Sequence, residues 1–479
     1  MPVSRGGAGA VAAAHPAAVA AGLEVLEQGG GAVDAAVAAQ AVLAVVLPDA
    51  CGVGGDALVL VRDPTGSTTA VNGAGAAGGR AVSAAADGGA AVTVPGLVGA
   101  WAALSEGWGR LPLADALRPA VRLAAEGAVV LPAVAAAVRE QHPRLLRGGA
   151  GAWPVLSAAA GDRVVQPRLA GLLARIGDHG PDAFYRDTAA AVAAAVRRDG
   201  GLLDEDDLAA HRTWTGPPVS TAWRGGTAHV QPPSAQGVLL AMALAWLERE
   251  GLPAEDVVDH VAVEVTEAAF AFRDEVVKRG AALLDEHLEV DRVRAAGRGG
   301  PRAYLHTAGV AAADAGGTVV SSLVSVFDDF GSGTFVPEGG FVLNNRAGGF
   351  TGGDNAFAPG RRPVHTLAPA LLDGPDGVVA LATPGADGQV QTLLQVLLRQ
   401  ARGASWSEAL AAPRWRSEGG RLLVQEGHPA AERLAAAGHG LVPLDAGDPR
   451  FGAVVGAGLG ADGVFAVADG RRSTATGAR

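Results

Sequence analysis

The chain has 479 residues, 49% apolar and 18% charged, with a mean hydropathy of +0.24. It therefore carries ample material for a core and is not disordered, and its 70 glycines follow no Gly-X-Y period, so it is not collagen-like. A net charge of −11 leaves no basic footprint for nucleic acid, and the single cysteine, Cys51, excludes an internal disulfide framework or a cysteine-based zinc cluster.

In chain order, His15 to Gln28 reads as a first helix closed by Gly29-Gly30-Gly31, and Ala32 to Leu47 as a second. The second stretch is the most apolar of the chain. It carries Asp34 and Gln40 and is too short to span a bilayer, so it reads as a buried helix. The N-terminal residues lack the leucine-rich centre of a secretory signal; with one thiol, the expectation is a cytoplasmic protein with no membrane partner. Ala57 to Arg62 and Thr68 to Asn72 flank the turn Asp63-Pro64-Thr65-Gly66 as a hairpin. Pro95 to Glu126 reads as helical, broken at Leu111-Pro112 and at Arg118-Pro119. Residues 130–280 read as mostly helical, including Val238 to Glu250 and His260 to Arg279.

The character changes after about residue 305. Thr307 to Ala313 and Thr318 to Phe327 form a second hairpin around Asp314-Ala315-Gly316-Gly317. Phe341 to Leu343 and Val378 to Thr383 read as strands, Gln389 to Gln400 as a helix, and Phe451 to Val467 as strand-like. A helical first half and a sheet-rich second half predict an α+β protein with sheets sandwiched by helices. Length alone suggests about three domains, yet no long polar linker and no repeat divides the chain.

Several familiar motifs fail. Gly73-Ala74-Gly75-Ala76-Ala77-Gly78 fits a dinucleotide fingerprint, but the strand before it belongs to a hairpin and no helix opens at Gly78. There is no phosphate-binding Gly-Lys-Ser/Thr loop and no GxSxG elbow, and the eleven histidines are dispersed along the chain. No metal or cofactor is expected.

The chemistry-bearing stretch begins at His306-Thr307. It runs through Asp329-Phe330-Gly331-Ser332-Gly333, Leu343-Asn344-Asn345-Arg346 and Arg362-Pro363-Val364-His365-Thr366-Leu367 to Thr383-Pro384-Gly385-Ala386-Asp387-Gly388-Gln389. With His15-Pro16, Gly29 to Ala38, Gly52-Val53-Gly54-Gly55-Asp56, Val94-Pro95-Gly96, Gly109-Arg110-Leu111-Pro112 and Pro232 to Gly237, these blocks in this order resemble the γ-glutamyltransferase family of N-terminal-nucleophile hydrolases. The resemblance covers nearly the whole chain. It implies a four-layer αββα sandwich made as one precursor that cuts itself between His306 and Thr307. The products would be segments 1–306 and 307–479, which together build a single domain as a heterodimer, with a pair of such heterodimers as a further assembly.

Taken alone, Thr307 reads as an ordinary strand residue. A threonine hydroxyl is a poor nucleophile until a base takes its proton. Cleavage would free the α-amino group of Thr307, whose ordinary pKa near ~8 suits that task. The resemblance further implies that Ser325 supports the nucleophile. It also implies that the N–H groups of Gly385 and Ala386 form an oxyanion hole, and that Asn344 and Asn345 hold the loop or touch substrate.

The departures concern the substrate. Ala74 stands where the family has an arginine for an α-carboxylate, Gly349 where it has an acid for the α-amino group, and His365-Thr366 where it has paired serines. Phe327 and Arg346 replace two further polar partners. Losing both the cation and the acid argues against an α-amino acid headgroup. Asp56, His365-Thr366 and Asp387-Gly388-Gln389 instead look like the acylase and amidohydrolase branch. Arg346, His365, Thr366, Asn345 and Asp387 are therefore expected around a small acidic substrate, with Arg362 structural. Hydrolysis of an amide or related acyl bond is the expected activity. The alternatives are hydrolysis of a carbon–carbon bond beside a carbonyl, as in alkylproline-type antibiotic pathways, and an unprocessed, inactive binding homologue.

Overall fold

The computed structural model describes residues 3–298 and 306–479. Two antiparallel seven-stranded sheets stack face to face between helices. The first sheet runs Ala475–Ala478, Gly9–Ala13, Ala308–Asp314, Val319–Ser325, Asp56–Arg62, Thr68–Asn72, Trp214–Gly216. The second runs Val3–Gly6, Gly463–Ala468, Val455–Gly460, Gly377–Ala382, Ala370–Gly374, Gly226–Val230, Val219–Trp223. Each sheet thus mixes strands from before and after residue 306.

The layers follow from side-chain alternation along each strand. In the strand Gly9–Ala13, Ala10 and Ala12 face the second sheet, whereas Val11 and Ala13 face the helices. The inter-sheet layer is built of small residues (Ala311, Ala313, Ala380, Ala382, Ala457 and Ala466 among them), filled out by Leu58, Leu60, Leu323 and Leu371. Helices Pro16–Glu27, Ala32–Val46 and Leu97–Trp108 cover the outer face of the first sheet. Helices Gly237–Glu250, Val258–Phe270 and Gly388–Gln400 cover the second. Among the described residues no helix is long and apolar enough to cross a membrane.

Both expected hairpins form, with strands at Asp56–Arg62 and Thr68–Asn72, and at Ala308–Asp314 and Val319–Ser325. One expectation needs correction. Pro119 does not break the chain but lies inside the helix Leu113–Glu126, where it is buried with Leu117 and Ala120. The packing of that strongly amphipathic helix outweighs the lost hydrogen bond. Residues 130–280 are mostly helical, as expected, but also hold the strands Trp214–Gly216, Val219–Trp223 and Gly226–Val230, which complete one edge of each sheet.

Candidate active site

Thr307 directly precedes the strand Ala308–Asp314, and Ser325 ends the strand that pairs with it. Hairpin geometry alone therefore brings the two hydroxyls together. The Thr307 hydroxyl donates to the carbonyl oxygen of His306 at 2.5 Å and lies 3.4 Å from Ser325 Oγ. Ser325 Oγ lies 3.1 Å from the same carbonyl oxygen and accepts the N–H of Phe327 at 2.9 Å. Thr307 is buried. The hydroxyl expected to attack thus rests against the carbonyl group of the preceding residue, with a second hydroxyl on the same oxygen.

On the neighbouring strand, Ser325 stands in register with Asp56. A Cβ at Gly55 would lie 2.3 Å from Ser325 O, so only glycine lets the Gly54-Gly55-Asp56 segment come this close. Asp56, Arg346 and His365 are wholly enclosed. Asp56 Oδ2 accepts from Arg346 Nε and from His365 Nε2, each at 3.1 Å. The N–H of Leu367 donates to His365 Nδ1 at 3.2 Å, which assigns the imidazole proton to Nε2. Burial, reinforced by the charge of Arg346, pushes the His365 pKa down to about 4, so the ring is neutral near pH 7. Burial alone would raise the Asp56 pKa, but the His365 and Arg346 contacts overcome it and hold the group below its ordinary value. Burial lowers the Arg346 pKa, against the attraction of Asp56.

Arg346 also donates from Nη1 to Thr366 Oγ1 at 3.3 Å, and its guanidinium lies 4.4 Å over the ring of Phe327. Phe327 has φ +86°, a left-handed turn just after Ser325 that brings the ring beneath the cation. The loop Gly385-Ala386-Asp387 leads into the helix Gly388–Gln400, with φ +124° at Gly385 and +48° at Ala386. Gln236 Nε2 ties this loop to the arginine side by donating to Ala386 O at 3.0 Å and Thr366 O at 2.8 Å. Asp387, fully buried, accepts from Arg273 Nε at 3.3 Å.

The expected residues Thr307, Ser325, Arg346, His365, Thr366, Gly385, Ala386 and Asp387 thus belong to one connected neighbourhood. Asn345 serves the loop: its amide nitrogen donates to Ala86 O and Asp328 Oδ2, both at 2.9 Å, and its oxygen accepts the N–H of Asp328 at 3.0 Å. Asn344 likewise bridges Thr93 and Gly54. Arg362 donates to Arg212 O at 3.0 Å. Where an α-amino acid would be clamped, Ala74 is buried and Gly349 offers its carbonyl to Asn355. Arg80 is exposed and pairs with Asp204.

Sequence reasoning missed Arg273, which no spacing rule marks, and the pairing role of Asp56. Arg273 Nη1 and Arg346 Nη2 are buried and make no hydrogen bond among the described residues. Among the described residues two of the dispersed histidines do converge: His260 Nδ1 and His439 Nε2 lie 2.8 Å apart beside Glu264, which is itself paired with Arg298 at 3.0 Å.

The sequence profile described as Gamma-glutamyltranspeptidase matches residues 18–478. The chain belongs to this family. The glutathione hydrolase-like YwrD proenzyme of Bacillus subtilis is 31% identical, over 92% of this chain and 93% of the relative. The oxamate amidohydrolase proenzyme of Klebsiella pneumoniae is 32% identical, over 85% of this chain and 84% of the relative. The crystal structure of cephalosporin acylase from Bacillus halodurans superposes with a TM-score of 0.90 at 29% identity, covering 100% of this chain and 97% of that one. The protein is a hydrolase of the γ-glutamyltranspeptidase, N-terminal-nucleophile type, with acylases and amidohydrolases among its relatives.

Proposed function

We propose that this family member cuts itself between His306 and Thr307 and then hydrolyses an amide bond of a small acidic substrate through an acyl-enzyme on Thr307. The contact of the Thr307 hydroxyl with the His306 carbonyl group, at 2.5 Å and beside Ser325, carries the reading. The products of the cut are segments 1–306 and 307–479, held together as a heterodimer by shared sheets. The new α-amino group of Thr307 takes the hydroxyl proton, and the substrate carbonyl carbon is attacked. The N–H groups of Gly385 and Ala386 stabilise the oxyanion. The amine then leaves, and water releases the acid.

The acidic part of the substrate meets Arg346 Nη2 and Arg273 Nη1, two buried guanidinium nitrogens without a hydrogen-bond partner among the described residues, with Thr366 and, through Asp56, His365 fixing Arg346. The missing clamp at Ala74 and Gly349 disfavours a γ-glutamyl headgroup. The acylases and the oxamate amidohydrolase among its relatives agree with an acidic amide.

Intact mass after expression tests the first step. Two chains split before Thr307 are expected, and one chain for Thr307→Ala; a single uncut wild-type chain overturns the reading. A panel of oxamate, a glutaryl amide and a γ-glutamyl anilide tests the second. Faster turnover of the γ-glutamyl compound would refute the substrate class.

A further inference from the structure

The side chain of His306, the residue before the proposed cut, is held from outside the site. Its Nδ1 lies 2.8 Å from Asp329 Oδ1. Asp49 completes a trio in which one nitrogen or oxygen of each residue lies within 4.8 Å of the others. Asp49 is buried, and its Oδ1 has no hydrogen-bond partner. The backbone that carries the two carboxylates is tied down. Phe330 N donates to Asp49 O at 2.9 Å and Val326 N to Ala50 O at 3.1 Å. Arg144 donates to the backbone oxygens of Asp329 and Gly331. Nothing in amide hydrolysis uses Asp49 or Asp329, so they demand a separate account.

Resting on the self-cleavage reading above, we infer that Asp329 and Asp49 form a cradle for the His306 imidazole. It fixes the carbonyl under attack before the cut and repels the carboxylate that the cut creates. In the first phase Thr307 Oγ1 adds to the His306 carbonyl carbon and the peptide C–N bond breaks. The hydroxyl proton passes to the departing nitrogen, leaving an ester and a free Thr307 amine. Water then hydrolyses the ester, restoring the hydroxyl and leaving His306 with a carboxylate. One neutral amide has become an extra negative charge beside two acidic side chains.

The surroundings fit this two-phase role. Burial raises the Asp49 pKa to about 6; His306 pulls it down and Asp329 pushes it up. The other charged groups facing the trio are Asp328, raised by burial and bound to Asn345, and the cations Arg144 and Arg472. Asp49 is thus readily ionised above pH 6 and adds to the repulsion there.

Pulse-labelled cell-free synthesis, followed on denaturing gels, measures the rate of the cut. Asp329→Asn should slow it by about 10- to 100-fold, the cost of a misplaced reacting group, and His306→Ala should slow it similarly. The Asp329→Asn/His306→Ala double variant should be no slower than either alone, because both break one contact; additive losses would mark a merely structural role and overturn the proposal. Should Asp329→Asn fail to fold, His306→Ala removes the same contact from its more exposed side. For the second phase, carboxypeptidase should trim His306 from the processed wild type about tenfold faster than from Asp49→Asn/Asp329→Asn; equal rates overturn the repulsion. An uncut wild type defeats the self-cleavage reading itself. A normally cut wild type with normally cut Asp329→Asn and His306→Ala defeats only the cradle.

Discussion

Replacing Asp56 by asparagine keeps the shape of the side chain and removes its charge. Two fully enclosed partners, Arg346 Nε and His365 Nε2, share its Oδ2 at 3.1 Å each. His365 is neutral, so Asp56 is the only counter-charge bonded directly to the buried guanidinium among the described residues. Breaking a buried ion pair from one side costs about 3–5 kcal/mol, because the remaining charge stays desolvated. At about 2 cal/mol/K per residue, 479 residues give an unfolding entropy of about 1 kcal/mol/K. Asp56→Asn should therefore lower Tm by about 3–5 °C. The measurement is scanning calorimetry at pH 7.5 and one scan rate, in a Thr307→Ala background so that every sample is uncut. Adding Arg346→Met removes the stranded cation and should recover at least half of the loss. A drop of less than about 1 °C, or no recovery in the double variant, would refute the view that this pair is a buried, mutually dependent unit.

Ser325→Ala removes one of the two hydroxyls on the His306 carbonyl oxygen; self-cleavage should slow about 100-fold, as for loss of one oxyanion donor, and an unchanged rate in a time course of intact mass would refute the role. His211, His365 and His439 are all held down to about pKa 4 by burial, so the unfolded chain takes up their protons first as pH falls from about 6.5 to 4, and stability declines across that window. Asp49, raised to about 6, acts in the opposite sense, stabilising the fold as pH falls from about 6 to 3.8. A Tm series against pH should accordingly be flattened by His365→Gln and steepened by Asp49→Asn; parallel curves would contradict both assignments. Gly96→Ala would place a Cβ 1.1 Å from Gly73 O, and should cost about 3 kcal/mol, the upper range for overpacking, read as a Tm drop of about 3 °C or more.

The hairpins were legible because turn residues and β-branched runs lie next to each other in the chain, and the Thr307–Ser325 meeting follows from one of them. The strands Gly9–Ala13 and Ala475–Ala478 were not. The first is buried on both faces and the second is half-buried; both are mostly alanine and glycine, with Val11 and Thr476 as their lone β-branched residues and no alternating apolar–polar pattern. The strands between Trp214 and Val230 hid among helices, although Arg224-Gly225 marks their turn with φ values of +50° and +79°. At the candidate site, the pairing of the expected residues was not legible. Arg346 alone allows a surface ion pair; the structure encloses it with an aspartate 290 positions away. Arg273 gave no local signal, because its partner Asp387 lies 114 positions on.

The strand that follows Thr307 is not an edge. Ala308–Asp314 is zipped to Gly9–Ala13 on one side and to Val319–Ser325 on the other. A chain end created at its head is therefore born already splinted, with nothing to search for and nowhere to drift. The proposed cut would then demand no refolding, and the two pieces would stay joined. Mixing two differently labelled populations of cut protein should yield no hybrids, because exchanging one half would mean tearing a central strand out of a closed sandwich.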